Sequence, residues 1–132
     1  KFLDQIIYNG KIQILQDAFL PNTENHLKMN YTAEQDLWNQ GNEANIWNFF
    51  VENDLLFSSD PRLSERFISP APFSKFYTEV DNESSPQVGI WIGWQICKSY
   101  LKEHKDVKLQ EFINKTSSEI FEQTTYKPKP IN

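Results

Sequence analysis

The sequence predicts a mainly α-helical, bundle-like domain with little or no sheet, and three features carry that prediction. Apolar residues recur at helical spacing through residues 2–19, 33–53 and 86–103. Helix-start signals stand where such segments begin: Thr32 with Gln35 three residues on, Asp60-Pro61, Ser85-Pro86, and Thr116 with Glu119. No run alternates apolar and polar residues for long; "KFYTEV", residues 75–80, is the best strand candidate and it is short. The 132 residues suit a single domain, 1–132. A chain of this size can bury roughly two-thirds of the surface its unfolded form exposes.

The elements follow in order. Residues 2–19 place Leu3, Ile7, Ile14 and Ala18 on one stripe, flanked by Phe2, Ile6, Leu15 and Phe19; Gly10 weakens the centre and Pro21 follows the end. "PNTENHLKMNY" reads as loop. Thr32 opens a helix over 33–53 that carries Leu37, Trp38, Ile46, Trp47, Phe50 and Val51, with Gly41 inside it. Asp60 and Pro61 start a short helix to residue 67. "ISPAPFSKFYTEVDNESSP" holds three prolines and no helical period, so it reads as an ordered loop anchored by Ile68, Phe73, Phe76 and Tyr77. Ser85 should cap the next helix, which Pro86 enters and which runs to Glu103. Short helices are predicted at 108–113 and 116–123, and "YKPKPIN" is a tail.

The helix from residue 86 contains Gly89 and Gly93, each costing about 1 kcal/mol relative to alanine. Residues 89, 93, 97 and 100 share one side of a helix. Here they are Gly, Gly, Cys and Tyr, a shallow groove for another helix, with Trp91 and Trp94 to either side. On that reading Gly93→Leu overpacks the crossing, whereas Gly93→Ala recovers helix propensity, less the cost of one methyl. A wall that keeps clear of a ligand would also use glycine.

Composition excludes several classes. Net charge is -5 and two of the thirteen basic residues are arginine, so no basic stripe marks a nucleic-acid face. Mean hydropathy is -0.62, and no run of about 18 apolar residues suggests a membrane span. Cys97 is the single cysteine, so no intrachain disulfide can form. The first residues lack the apolar core of a signal peptide. The chain starts inside a helix without methionine and reads as the C-terminal part of a longer protein.

Candidate chemistry is sparse. His26, Cys97 and His104 lack the spacing of a helical metal site, and no H-E-x-x-H occurs. No metal, cofactor or catalytic residue is assigned. Asp81 and Glu83 stand just before a helix N-terminus, where acidic groups complement the dipole or could form an acid/base pair or cation site. Glu43 and Glu52 lie in the aromatic-rich second helix. With Gly89 and Gly93 these four carboxylates are the candidate binding residues. N-x-S/T triplets at Asn30, Asn82 and Asn114 bear only on a eukaryotic secretory route.

Four ordered stretches, "NFFVENDLLFSSDP", "RFISPAPFSKF", "DNESSPQVGIWIGWQICKSYL" and "YKPKP", together resemble the C-terminal half of the gliding-motility lipoprotein GldB family. The resemblance covers about residues 6–128. It implies a cell-envelope lipoprotein of Bacteroidetes-type bacteria that supports gliding and the associated protein secretion. It also implies kinship with zincin-like metallopeptidases, whose H-E-x-x-H helix would lie upstream. A glutamate ligand that such peptidases take from a later helix would fall near "IIYNGK", where this chain offers Asn9. The expected role is therefore non-enzymatic, through contacts with envelope proteins of the gliding and secretion machinery. The alternative is the cleft-wall domain of a zinc-dependent peptidase. A carbohydrate module would need its tryptophans on the surface, and their phasing argues for core. Membrane attachment would come only from an N-terminal lipid anchor outside this sequence. A homodimer is a further expectation, because Phe2, Leu3, Ile6 and Ile7 would lack part of their cover in a fragment.

Overall fold

The computed structural model describes residues 1–130. Among them the chain forms seven α-helices and one 3-10 turn, with no strand. The helices are α1 (Phe2–Phe19), α2 (Asn25–Lys28), α3 (Ala33–Glu52), α4 (Arg62–Phe67), α5 (Val88–Glu103), α6 (Leu109–Ile113) and α7 (Ser117–Glu122), and the 3-10 turn is Asp81–Glu83. The mainly α prediction holds, and "KFYTEV" is irregular. The segment 21–31, read as loop, contains the one-turn helix α2.

The buried α5 helix organises the molecule. Nine of its sixteen residues are buried, including Trp91, Ile92, Trp94 and Ile96. Helix α1 packs along one side of it, and α3, α4 and α7 make further contacts. Full burial of each large apolar side chain contributes about 1.5–3 kcal/mol. An aromatic cluster joins the remaining helices. Phe67 of α4 lies 5.1 Å from Phe50 of α3 and 5.2 Å from Phe76 between ring centroids, and Phe2 of α1 lies 5.2 Å from Phe50, edge to face. The amides that open α1 have no side-chain cap. Instead Phe2 N donates to the Ser58 carbonyl at 2.9 Å and Leu3 N to the Leu56 carbonyl at 2.8 Å. The loop after α3 thus satisfies donors that a helix start leaves unpaired.

These contacts correct the expectation for the N-terminal residues. Phe2, Leu3, Ile6 and Ile7 are buried within the chain by α5 and the aromatic cluster. The exposed large apolar residues of α1 lie on the opposite side: Tyr8, Ile12 and Phe19. Ala18, placed on the buried stripe from sequence, and Phe19, placed at its flank, face solvent, and the core stripe ends at Ile14. Tyr77, expected as a loop anchor, is 72% exposed with φ 62°, and its ring lies 4.5 Å from the Arg66 guanidinium.

The glycine groove is where α1 and α5 cross. A Cβ on Gly93 would sit inside van der Waals contact of the Ile6 carbonyl, and one on Gly10 would strike the Gly93 carbonyl and approach Trp94 N to 2.8 Å. At Gly89 a Cβ would meet the Phe67 carbonyl at 3.0 Å. The two backbones therefore touch directly. This overturns the expectation that Gly93→Ala recovers propensity, because a methyl opposite rigid backbone has nowhere to go. Gly10 is the partner glycine of this crossing rather than a weak point in α1.

The start of α5 also differs from expectation. Ser85 does not cap it and Pro86 is not its first residue; the helix begins at Val88, after Gln87 in the left-handed region at φ 55°. Ser85 is fully buried, and its hydroxyl donates to the Gln35 carbonyl at 2.7 Å. The cap comes from Ser74, whose Oγ accepts from Val88 N at 3.3 Å and donates to the Ser85 carbonyl at 2.7 Å. The Ser84 hydroxyl is shared between the Asp81 carbonyl at 2.7 Å and the Ser74 carbonyl at 3.1 Å, and the buried Tyr31 hydroxyl donates to the Pro86 carbonyl at 2.6 Å. Ordered loops on both sides thus hold the first turn of α5.

Candidate functional site

The six residues singled out from sequence lie in separate places. Gly93 is in the α1–α5 crossing, and Gly89 sits between the Phe67 carbonyl of α4 and the Ile6 side chain. Asp81 opens the 3-10 turn, and its carboxylate accepts from the amides of Phe76 at 2.9 Å, Tyr77 at 3.1 Å and Thr78 at 3.3 Å. It ties the preceding loop to the turn. Glu83 and Glu52 are exposed. Glu43, half-buried on α3, accepts from the Tyr126 hydroxyl at 2.6 Å. Burial first, and the Glu43 carboxylate second, push that hydroxyl well above the usual phenol range. Tyr126 also packs edge-on against Trp47 at 5.0 Å, so the C-terminal tail is fastened to α3.

Other polar groups come together without any local sequence signal. Lys28 of α2 has a side chain only 4% exposed and donates to Asp17 Oδ1 at 2.8 Å. Trp94 Nε1 donates to the other oxygen of Asp17, also at 2.8 Å. Residues 17, 28 and 94 are too far apart in sequence for helical spacing to link them. Beyond Trp94 stands Lys98, half-buried, its ammonium 4.0 Å from the indole centroid. Burial lowers its pKa.

Clefts open where α3 stands away from α5. One of about 150 Å3 is lined by Asp36, Gln40, Trp94 and Lys98, among others. A second, of about 300 Å3, continues on the far side of Lys98 and is lined by Glu43, Lys98, Ser99, Lys102, Tyr126 and Lys127. Of the six sequence candidates, Glu43 borders this cleft. A third of about 260 Å3, largely apolar, lies between α3 and the 76–80 loop, with Trp38, Asn42, Ile46, Phe49, Phe76 and Val80 in its walls. Sequence phasing placed the tryptophans in the core. Trp91 and Trp94 are there, whereas Trp38 and Trp47 are half-buried.

The nucleophile and metal candidates are engaged elsewhere. Cys97 is buried in the crossing, its thiol facing the Ile7 carbonyl at 3.9 Å, and burial pushes its pKa up to about 12. His104 stacks on Tyr100 at 4.2 Å and bonds the Gln123 carbonyl at 2.7 Å. His26 lies 3.4 Å from Glu24. Among the described residues no three His, Cys, Asp or Glu side chains gather as a metal site would require.

No curated protein and no solved structure matches the chain. A family model does. The model described as gliding motility protein GldB matches residues 1–128, nearly the whole chain and including every helix described above. The chain belongs to the GldB gliding motility family.

Proposed function

We propose that this chain is the folded domain of a lipid-anchored cell-envelope protein that supports gliding motility and the associated protein secretion through protein contacts, without catalysis. The observation that carries the contact reading is the outer face of α1. Tyr8, Ile12, Leu15 and Phe19 are spaced 4, 3 and 4 apart, which aligns them along one side of the helix. That side is opposite the one that packs on α5. Tyr8, Ile12 and Phe19 are exposed, Phe19 by 76%. An aligned apolar stripe of this kind marks an interaction surface more than scattered exposed residues do. The non-catalytic reading is supported by Glu43 and Asp81, which hold the tail and a loop, and by the buried, protonated Cys97. None of the described helices is long and apolar enough to cross a membrane, and a lipid anchor is the attachment we propose.

The test is complementation in a gliding bacterium that lacks its own copy. The full-length protein carrying Tyr8→Ser, Ile12→Ser and Phe19→Ser should accumulate normally but leave colonies non-spreading and secretion impaired. The purified variant should melt close to wild type, since exposed substitutions usually change stability by about 0.5 kcal/mol or less each. Normal spreading by that variant would remove the contact role from this face.

A further inference from the structure

The chain has a net charge of -5, yet the cleft of about 300 Å3 beside its tail is lined by Lys98, Lys102 and Lys127 against the single carboxylate of Glu43. Lys98 and Lys102 are one helical turn apart on α5 and share a face. Lys127 comes from the tail that Tyr126 fastens to α3. Among the described residues, no ion pair within 4.0 Å involves any of these three ammoniums.

The nearby carboxylates are turned to other partners. Glu43 takes the Tyr126 hydroxyl, and Asp17 takes Lys28 and Trp94. Asp36 takes the Gln40 amide at 2.7 Å, and Glu103 takes Thr124 and the Thr125 amide. Lys98 is held over the Trp94 ring while its burial removes part of its hydration. An incoming anion would restore what burial took away. The cleft is open to solvent rather than enclosed, which suits a segment of chain better than an engulfed small molecule. Lysines are separate point charges rather than guanidinium forks, and so match spaced carboxylates better than a single phosphate.

We propose that this cleft binds an acidic peptide segment of a partner protein, with carboxylates placed on Lys98, Lys102 and Lys127. The proposal rests on the contact reading above and names the chemistry of one partner.

Fluorescence polarisation of labelled hexaglutamate against the chain at low salt tests it. Binding is expected, weakening as salt rises. Lys98→Gln with Lys102→Gln should lower affinity about tenfold. Lys105→Gln with Lys108→Gln, outside the cleft, should leave it unchanged. Lys127→Gln lies in the tail, where it cannot unseat α5, and should weaken binding on its own. Absence of binding, equal loss in the two double variants, or equally effective competition by inorganic phosphate would overturn the proposal. The α1 variants report separately. Loss of gliding in them, with no hexaglutamate binding to the chain, keeps the contact reading and removes the cleft. Hexaglutamate binding with gliding intact in those variants keeps the cleft and removes the contact role from the α1 face alone.

Discussion

Helices α1 and α3 are of similar length, 18 and 20 residues, and both pack on α5, but they meet it in different ways. Helix α1 lies backbone to backbone against α5, through Gly10 on one side and Gly93 on the other. Helix α3 stands off, leaving clefts lined by charged side chains between itself and α5. Each helix contains one interior glycine. A Cβ on Gly10 would collide with α5, whereas nothing lies within 4 Å of one on Gly41. Both carry the same propensity cost of about 1 kcal/mol. At Gly10 close packing offsets it, and at Gly41 no packing does. The intrinsic preference of a residue therefore says little about its worth until its neighbour is known. The crossing is backbone packed on backbone, whereas the open clefts lie on the polar side toward α3.

Substitution at the crossing tests this contrast most severely. Gly93→Ala should destabilise by about 3 kcal/mol or more in urea melts, at or beyond the usual upper range for overpacking, because the obstacle is backbone. Gly10→Ala should do nearly as much. The double variant should lose less than the sum, since one separation of α1 from α5 relieves both clashes. Stability unchanged by Gly93→Ala would mean that the helices do not touch there.

The cap borrowed across the chain comes next. Ser74→Ala removes the acceptor for Val88 N and the donor to the Ser85 carbonyl, in a buried place. A loss of about 1–3 kcal/mol is expected. Ser85→Ala, which removes one donor to the Gln35 carbonyl, should cost less. The reverse order would make Ser85 the cap after all.

Alkaline pH probes the dryness of the crossing. The Cys97 pKa is raised from 9.0 to about 12 in the folded chain. The folded state therefore holds its proton where the unfolded state releases it. This contribution to stability is fully present below pH 9 and is lost progressively as pH rises toward 12. Cys97→Ala should make the decline in urea midpoint over that window shallower. The wild-type thiol should also resist a thiol reagent at neutral pH until the chain unfolds. Rapid labelling of the native protein would show that water reaches the crossing.

The smallest effect is expected on α3. Gly41→Ala should stabilise by up to about 1 kcal/mol, because it gains propensity and meets nothing. A loss instead would show that α3 makes a contact at that position in the folded protein.

How much of this was legible in advance depended on the distance between cause and effect. Helix α1 occupies residues 2–19 as its periodicity predicts, and α3 starts at Ala33 with the reciprocal Thr32–Gln35 box in place. Thr116 likewise accepts from the Glu119 amide at the start of α7. The carboxylates of the candidate site were visible, but their partners were not: Glu43 meets Tyr126 across 83 residues. The lysine cleft left only a trace, Lys98 and Lys102 one turn apart.

The span of α1, the Thr32 and Thr116 caps and the apolar face of α5 arise from residues within about one turn of each other, so the order of the chain was enough to place them. Other features needed distant parts of the chain to meet. These are the left-handed Gln87, the cap from Ser74, the half-buried Asp17–Lys28 pair and the difference between Gly10, pressed on backbone, and Gly41, with nothing beside it. Periodicity identifies a face that must be covered without saying what covers it. Backbone contact, desolvation and hydrogen-bond partnership depend on distances in space, which folding sets.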